Sequence, residues 1–285
     1  MKKFIKKVLE NDISESDKLK MLQDVAEKKV TPSELAEIVN YLKSKQAIKI
    51  DLFDSIDICW TWWSGLDRIN TSTLTSLKLA NMWIKVAKHW NNASSGRFGS
   101  FDLIEKLWYK IPNSKEETLE EYKEKNIAFL YAKNFFPFMK TFWEARKNYA
   151  RPTIFNILWP LLSPANSDYQ MIGCSFEDKM ELMIEACLIL WKKNVMIVRW
   201  EDWLDEVTLT WKTKIFELKN WKIKNYEISP EDFWFQNVKL VDILEKDIDK
   251  KIELANKIIA WENAWSYSDL VDINVKVALN FLNKF

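Results

Sequence analysis

Trp60-Thr61-Trp62-Trp63-Ser64-Gly65-Leu66-Asp67-Arg68-Ile69-Asn70-Thr71-Ser72-Thr73 is the stretch on which the reading of this chain turns. It follows the short apolar run Ile56-Asp57-Ile58-Cys59, a candidate strand, and leads into a Ser/Thr-rich segment suited to a helix start. A strand-to-helix turn of this kind cradles phosphate with backbone N–H groups, and it needs residues without side chains so that the ligand can approach. Three indoles, Trp60, Trp62 and Trp63, stand where glycine is wanted.

The same substitution recurs along the chain. There are sixteen tryptophans and only four glycines in 285 residues. Average glycine usage of roughly 7% predicts about 20 in such a chain, the number the two residue types make together. Trp200-Glu201-Asp202-Trp203, Thr210-Trp211-Lys212 and Asn220-Trp221-Lys222 have the polar flanks of tight turns, where a positive φ favours glycine. Trp191, before Lys192-Lys193-Asn194, occupies the place of a helix C-cap glycine. The expectation is that the gene writes glycine as UGA, as some bacterial lineages do, and that tryptophan stands where this codon is read in the standard way. The alternative, a protein naturally rich in tryptophan, demands a partner for every buried indole N–H.

Length and composition bound the rest. A chain of 285 residues can bury a sizeable core, as one large domain or a small plus a large one. With 48% hydrophobic and 29% charged residues it is globular. A net charge of +1, from 42 basic and 41 acidic residues, provides no footprint for nucleic acid or an anionic membrane. Phe4-Ile5 is followed at once by Lys6-Lys7, so no signal-peptide core exists, and no apolar stretch approaches the roughly 20 residues of a membrane span. A cytoplasmic protein is expected. Cys59, Cys174 and Cys187 are odd in number and widely spaced, which points to reduced core residues and not to disulfides or a zinc site.

Residues 1–48 read as a small all-α segment. Ser14 with Asp17 makes a weak capping box, Thr31-Pro32-Ser33-Glu34 a strong one, and Leu35, Ile38, Val39 and Leu42 follow at helical spacing. From about Ile50 short apolar runs alternate with amphipathic helices, as in an α/β domain spanning 49–285. Candidate strands are Ile56–Cys59, Ile84–Ala87, Ala128–Tyr131, Val195–Arg199 and Lys214–Leu218. Candidate helices are Thr73–Met82, Ser100–Leu107, Glu116–Lys125 and Phe176–Leu190, with Ile154–Pro164 as a packed crossover.

Three polar segments could carry chemistry. With glycine restored at 60, 62 and 63, the first is a glycine-rich turn feeding a helix start that offers Asn70, Ser72 and Thr73 to an anion. The second, residues 88–102, brings Lys88 as a point charge for phosphate, with Asn91 and Ser100 as hydrogen-bonding groups. Its His89 is the only histidine, and a lone histidine is more often structural than a general base. The third ends in Asp205-Glu206, adjacent carboxylates able to hold magnesium while phosphates complete the shell. Ligands of open α/β sheets bind beyond the carboxyl ends of the strands, where these loops converge.

With glycine restored, these segments together with Thr153-Ile154-Phe155-Asn156-Ile157-Leu158-Trp159-Pro160 resemble the anthranilate phosphoribosyltransferase family, glycosyltransferases related to pyrimidine nucleoside phosphorylases. The resemblance runs from the N-terminal helices to about Asn280. It implies a nucleoside phosphorylase/phosphoribosyltransferase-like fold, an α/β domain with a small all-α N-terminal domain, and homodimers formed through the helical part. It implies that positions 60–65 (Trp60, Thr61, Trp62, Trp63, Ser64), Asn70, Ser72, Thr73, Lys88 and Ser100 bind phosphoribosyl pyrophosphate. Asp205 and Glu206, with Ser72, would bind Mg2+, Asn91 and Arg146 would face anthranilate, and Lys88 and Arg146 would be the catalytic groups. Electrostatics and positioning then dominate catalysis.

Three departures from the family pattern stand out. Ser64 replaces an aspartate, with Asp67 nearby; Phe136 replaces a histidine on the anthranilate route; and the chain ends at Phe285, short of the family's last helices, as a truncated or minimal version would. Alternatives are a pyrimidine nucleoside phosphorylase-like enzyme, or an inactive or nucleic-acid-binding paralogue if the tryptophans are genuine. Asp205-Glu206 and the near-zero charge argue against the nucleic-acid binder.

Overall fold

A computed structural model describes residues 7, 13–61, 66–90, 98–200 and 204–284, with backbone only at Trp90 and Phe101. Its centre is a seven-stranded sheet in the order β3-β2-β1-β4-β5-β6-β7. β1 (Ile56–Trp60), β2 (Val86–Trp90), β3 (Ile127–Tyr131), β4 (Tyr169–Gly173) and β5 (Asn194–Trp200) are parallel; β6 (Thr213–Lys219) and β7 (Lys222–Ile228) add an antiparallel edge. Crossover helices cover both faces, as parallel strands require.

Strand alternation sorts the core into two layers. On one face Cys59, Ala87 and Ile172 join Leu22, Leu35, Leu42, Phe155, Leu158 and Met183, so helices Glu15–Glu27 and Pro32–Ser44 share a core with Ile154–Leu161 and Glu177–Ile189. On the other, Ile56, Ile58, Met171 and Val198 pack on Leu74, Leu77, Leu254, Ile258, Leu270 and Val277, from helices Thr71–Asn81, Ile248–Ile259 and Ser266–Phe281. The caps expected at the N-terminus form: Ser14 accepts from the Asp17 N–H, and Thr31 and Glu34 close a full capping box with Pro32 at the first turn.

The α/β class stands, and all five expected strands form, four within one residue of their bounds and the second, expected at Ile84–Ala87, shifted to Val86–Trp90. Two strands had gone unread. β4 holds the middle of the sheet, between β1 and β5, but its Tyr169-Gln170 start is polar; Gln170 is buried because its amide donates to the Pro160 carbonyl and to Asp57. β7 is an exposed edge strand with no apolar run. The crossover 154–164 contains a helix, Ile154–Leu161, with Pro160 in its last turn.

Tryptophan shapes the backbone in an unusual way. Among the described residues thirteen non-glycine positions have positive φ, and seven of them are Trp83, Trp108, Trp191, Trp221, Trp234, Trp261 and Trp265. Left-handed backbone costs an L-residue about 1–2 kcal/mol.

Candidate active site

The carboxyl ends of β1, β2, β4 and β5 face one edge of the sheet, where ligands of doubly wound folds bind. Thr61, just past β1, is tied on three sides. Its N–H donates to the Gly173 carbonyl (2.9 Å), its Oγ1 accepts from the Ser175 N–H (2.9 Å), and its carbonyl accepts from Asn156 (3.3 Å). Trp62, Trp63, Ser64 and Gly65 lie outside the described residues, as do Asn91, Glu201, Asp202 and Trp203. Gly173 is required where it stands: a Cβ there would meet the Asp205 carbonyl oxygen at 1.8 Å and the Trp60 ring at 2.6 Å.

Asn70 precedes the helix Thr71–Asn81 and makes no side-chain cap, so its amide is not consumed by the helix end. Ser72 and Lys88 meet: Lys88 Nζ donates to Ser72 Oγ (3.1 Å) and to the Ile58 carbonyl (2.8 Å). Burial pushes the Lys88 ammonium down to about 8, against a partial offset from Asp57. Thr73 Oγ1 and Ser100 Oγ are buried with no hydrogen-bond partner. Such hydroxyls are uncommon in a folded interior, and both fall on positions the resemblance assigns to substrate.

Asp205 and Glu206 are fully buried and share one cation. Arg68 donates from Nη2 to Asp205 (2.7 Å) and from Nε to Glu206 (2.9 Å). Its position is set by a bridge to Leu244 and by the Glu245 N–H donating to the Asp67 carbonyl (2.9 Å). On the other side buried Asn274 pairs with both backbone groups of Val207. Burial raises the Glu206 carboxyl above its ordinary value, Arg68 opposes this, and Asp205 adds to it. Glu206 Oε2 has no partner. Two carboxylates against one guanidinium, with an unpaired oxygen, are a hard-oxygen donor set that fits magnesium. Ser72, named with them from the resemblance, accepts from Lys88 Nζ.

Arg146, in the helix Trp143–Tyr149, has the opposite surroundings. Its guanidinium lies over the Phe155 ring at 5.4 Å, and no carboxylate pairs with it among the described residues. Burial alone pushes it down to about 10. It lines a cavity of about 410 Å³ with Phe136, Trp143, Trp159, Lys133, Lys140 and one carboxylate, Glu144. Phe136, in place of the family's histidine, is buried edge-on to Trp159 (6.3 Å).

His89 is structural. Nδ1 lies 2.6 Å from Asp57 and Nε2 3.2 Å from the Trp159 carbonyl, so both nitrogens face acceptors and neither is left for a substrate proton. Burial would raise the Asp57 carboxyl, but His89 holds it below its ordinary value. Cys59 completes a buried Asp57-Cys59-His89 cluster within 4.8 Å. Its thiol is pushed well up by burial and the other two are hydrogen-bonded to each other, so the cluster reads as a packed, internally satisfied group. Arg68 and this pair escaped the sequence reading because nothing local ties residue 68 to 205 or 57 to 89.

Residues 53–284 match the model of the glycosyl transferase family, a/b domain. A curated relative, anthranilate phosphoribosyltransferase of Dictyoglomus turgidum, is 34% identical over 254 residues, 89% of this chain and 76% of the relative. The chain belongs to the anthranilate phosphoribosyltransferase family. Among solved members, the enzyme of Thermus thermophilus superposes with a TM-score of 0.88 at 25% identity, covering 99% of this chain and 84% of that one. The Saccharomyces cerevisiae anthranilate phosphoribosyltransferase, solved in complex with PRPP and Mg, has the same fold, with a TM-score of 0.79 at 19% identity over 99% and 88%.

Proposed function

We propose that this anthranilate phosphoribosyltransferase family member transfers the phosphoribosyl group of phosphoribosyl pyrophosphate to anthranilate. The products are N-(5-phosphoribosyl)anthranilate and pyrophosphate, in tryptophan biosynthesis. The observation that carries the acceptor side is the Arg146 guanidinium, without an ion-pair partner among the described residues, in a cavity of about 410 Å³ lined by Phe136, Trp143 and Trp159. A planar aromatic acid suits it, with its carboxylate held bidentately.

Asp205 and Glu206 would hold Mg2+, which neutralises charge on the departing pyrophosphate when bound. Metal entry asks Arg68 to release at least one carboxylate oxygen. Lys88, charged at neutral pH and buried at the start of helix Thr71–Asn81, adds positive potential with the helix dipole. The unpartnered Thr73 and Ser100 hydroxyls donate to phosphoribosyl oxygens. Ribose C1 loses its bond to pyrophosphate oxygen as the anthranilate nitrogen bonds to it, the proton then shed by nitrogen passing to the departing pyrophosphate or to water, and the amine is held in place rather than activated by a base. The assignment of Asn91, Trp60, Thr61, Trp62, Trp63 and Ser64 to substrate rests on the family motif.

Homodimerisation through the helical segment 1–48, catalysis in 49–285 and residence in the cytoplasm are supported by the same resemblance. No described helix is long and apolar enough to cross a membrane. Sedimentation at micromolar concentration checks the dimer, with a monomer arguing against it. The test of function is loss of anthranilate fluorescence with phosphoribosyl pyrophosphate and Mg2+. Pyrophosphate release with another amine and none with anthranilate would move the acceptor.

A further inference from the structure

The seven left-handed tryptophans occupy positions with one chemical requirement in common. Four close helices in the same way. After Thr71–Asn81, the Trp83 N–H donates to Ala80 and the Ile84 N–H to Leu79; after Ser100–Lys106, Trp108 donates to Glu105 and Tyr109 to Ile104. After Glu177–Ile189, Trp191 donates to Leu188 and Lys192 to Cys187; after Ile248–Ile259, Trp261 donates to Ile258 and Glu262 to Lys257. Each is a Schellman motif, whose left-handed residue is usually glycine and sometimes asparagine. Helix Ser266–Phe281 supplies the internal control, for the same pair of bonds, Asn283 to Asn280 and Lys284 to Leu279, is built there on asparagine.

The remaining three make the same demand. Asn220 and Trp221 form the two-residue link between β6 and β7, with φ of 51° and 60° and Lys219 paired to Lys222. A hairpin turn with both central residues left-handed is the type I′ turn, for which Asn-Gly is the favoured sequence. Trp234 ends the short helix Pro230–Phe233 at φ 62°. Trp265 has φ 50° and ψ −135°, outside the left-handed helical well that asparagine can use. Apart from these seven, the positive-φ positions are five Asn or Asp residues and Ala150.

Nothing the indoles do compensates. All seven are exposed, from 50% at Trp221 to 93% at Trp108. Trp191 touches Trp221, and lysines lie over Trp261 and Trp234, but surface contacts of a ring do not relieve its own backbone. Three buried tryptophans fail differently: the indole N–H groups of Trp60, Trp159 and Trp200 have no acceptor. Trp60 ends β1 against Gly173, Trp200 ends β5, and Trp159 lines the Arg146 cavity beside Phe136.

We propose that the protein working in its own cell carries glycine at these ten positions, and that the Trp60, Trp159 and Trp200 rings occupy ligand volume. At the seven exposed positions the glycine assignment stands on backbone geometry, and at 60, 159 and 200 on the unpaired indole N–H groups; the second clause rests on the transferase reading. Peptide masses of the protein isolated from the cell that makes it decide the first. Glycine masses at 83, 108, 191, 221, 234, 261 and 265 are expected, and tryptophan masses there overturn it. In chain produced with tryptophan throughout, Trp191→Gly and Trp221→Gly should raise the thermal midpoint more than Trp191→Ala and Trp221→Ala, since alanine sheds the exposed ring but keeps a Cβ at positive φ. Equal gains would remove the strain on which the assignment rests. The triple variant Trp60→Gly, Trp159→Gly, Trp200→Gly is expected to gain calorimetric binding of phosphoribosyl pyrophosphate with Mg2+. Glycine masses without that gain would leave the glycine assignment in place and overturn the ligand-volume clause, whereas the transferase reading falls separately, if the protein isolated from its own cell consumes no anthranilate with phosphoribosyl pyrophosphate and Mg2+.

Discussion

Arg68 and Arg146 are two guanidiniums on one protein with opposite surroundings. Arg68 lies across Asp205 and Glu206, whose charges more than offset the burial that would lower it, so its pKa is raised. Arg146 has burial and an aromatic face but no ion-pair partner among the described residues, and falls to about 10. A cation with its anions present holds structure together until something competes for them. A cation without one is a binding site in waiting, and the contrast divides the candidate site into a metal side and an acceptor side.

The harshest way to break this contrast is Arg68→Met. It strands two buried carboxylates, and losing one partner of such an arrangement costs roughly 3–5 kcal/mol. Denaturant unfolding at neutral pH should show a loss of that size, with Mg2+ returning part of it; indifference to Mg2+ would detach Asp205 and Glu206 from metal binding. Lys88 sits between the extremes, buried with only a carbonyl and a hydroxyl as partners. Its folded pKa of about 8 lies below the ordinary lysine value of 10.5, so the unfolded chain holds the proton more tightly. Stability should therefore rise with pH between those values, by up to about 3 kcal/mol at 1.36 kcal/mol per unit. Lys88→Met should flatten that rise, and a slope unchanged in the variant would assign it elsewhere.

Arg146→Leu is expected to leave unfolding nearly untouched, because no carboxylate is stranded. It should raise the KM for anthranilate roughly 10- to 100-fold, the worth of a charged hydrogen bond, with Arg146→Lys recovering part. A large stability loss would mean that Arg146 serves the fold. The smallest effect is expected at Trp191→Gly, about 1–2 kcal/mol in chemical denaturation, which reports on backbone and should leave both arginines as they are.

What was legible in the chain was local. The caps at Ser14 and Thr31, the five apolar strands and the turn at Asn220-Trp221 all depend on residues within a few positions of one another. β4 was hidden because its polar Gln170 is tolerated only by partners at Pro160 and Asp57. The candidate site was partly legible. Ser72, Thr73, Lys88, Ser100, Asp205 and Glu206 carry recognisable chemistry in recognisable loops, whereas Phe136 and Trp159 as lining of the Arg146 cavity could not be read from spacing.

The sequence by itself determined the α/β class, the family, and the conflict between tryptophan and turn chemistry, since each rests on short-range pattern and composition. Only the tertiary structure decided that Arg68 neutralises Asp205 and Glu206, that His89 is spent on Asp57, and that Arg146 pairs with no carboxylate among the described residues. Those outcomes join residues as many as 138 positions apart. The charge a buried group feels is set by which neighbours the sheet and its crossovers bring into a low-dielectric interior, and that proximity exists only once the chain has folded.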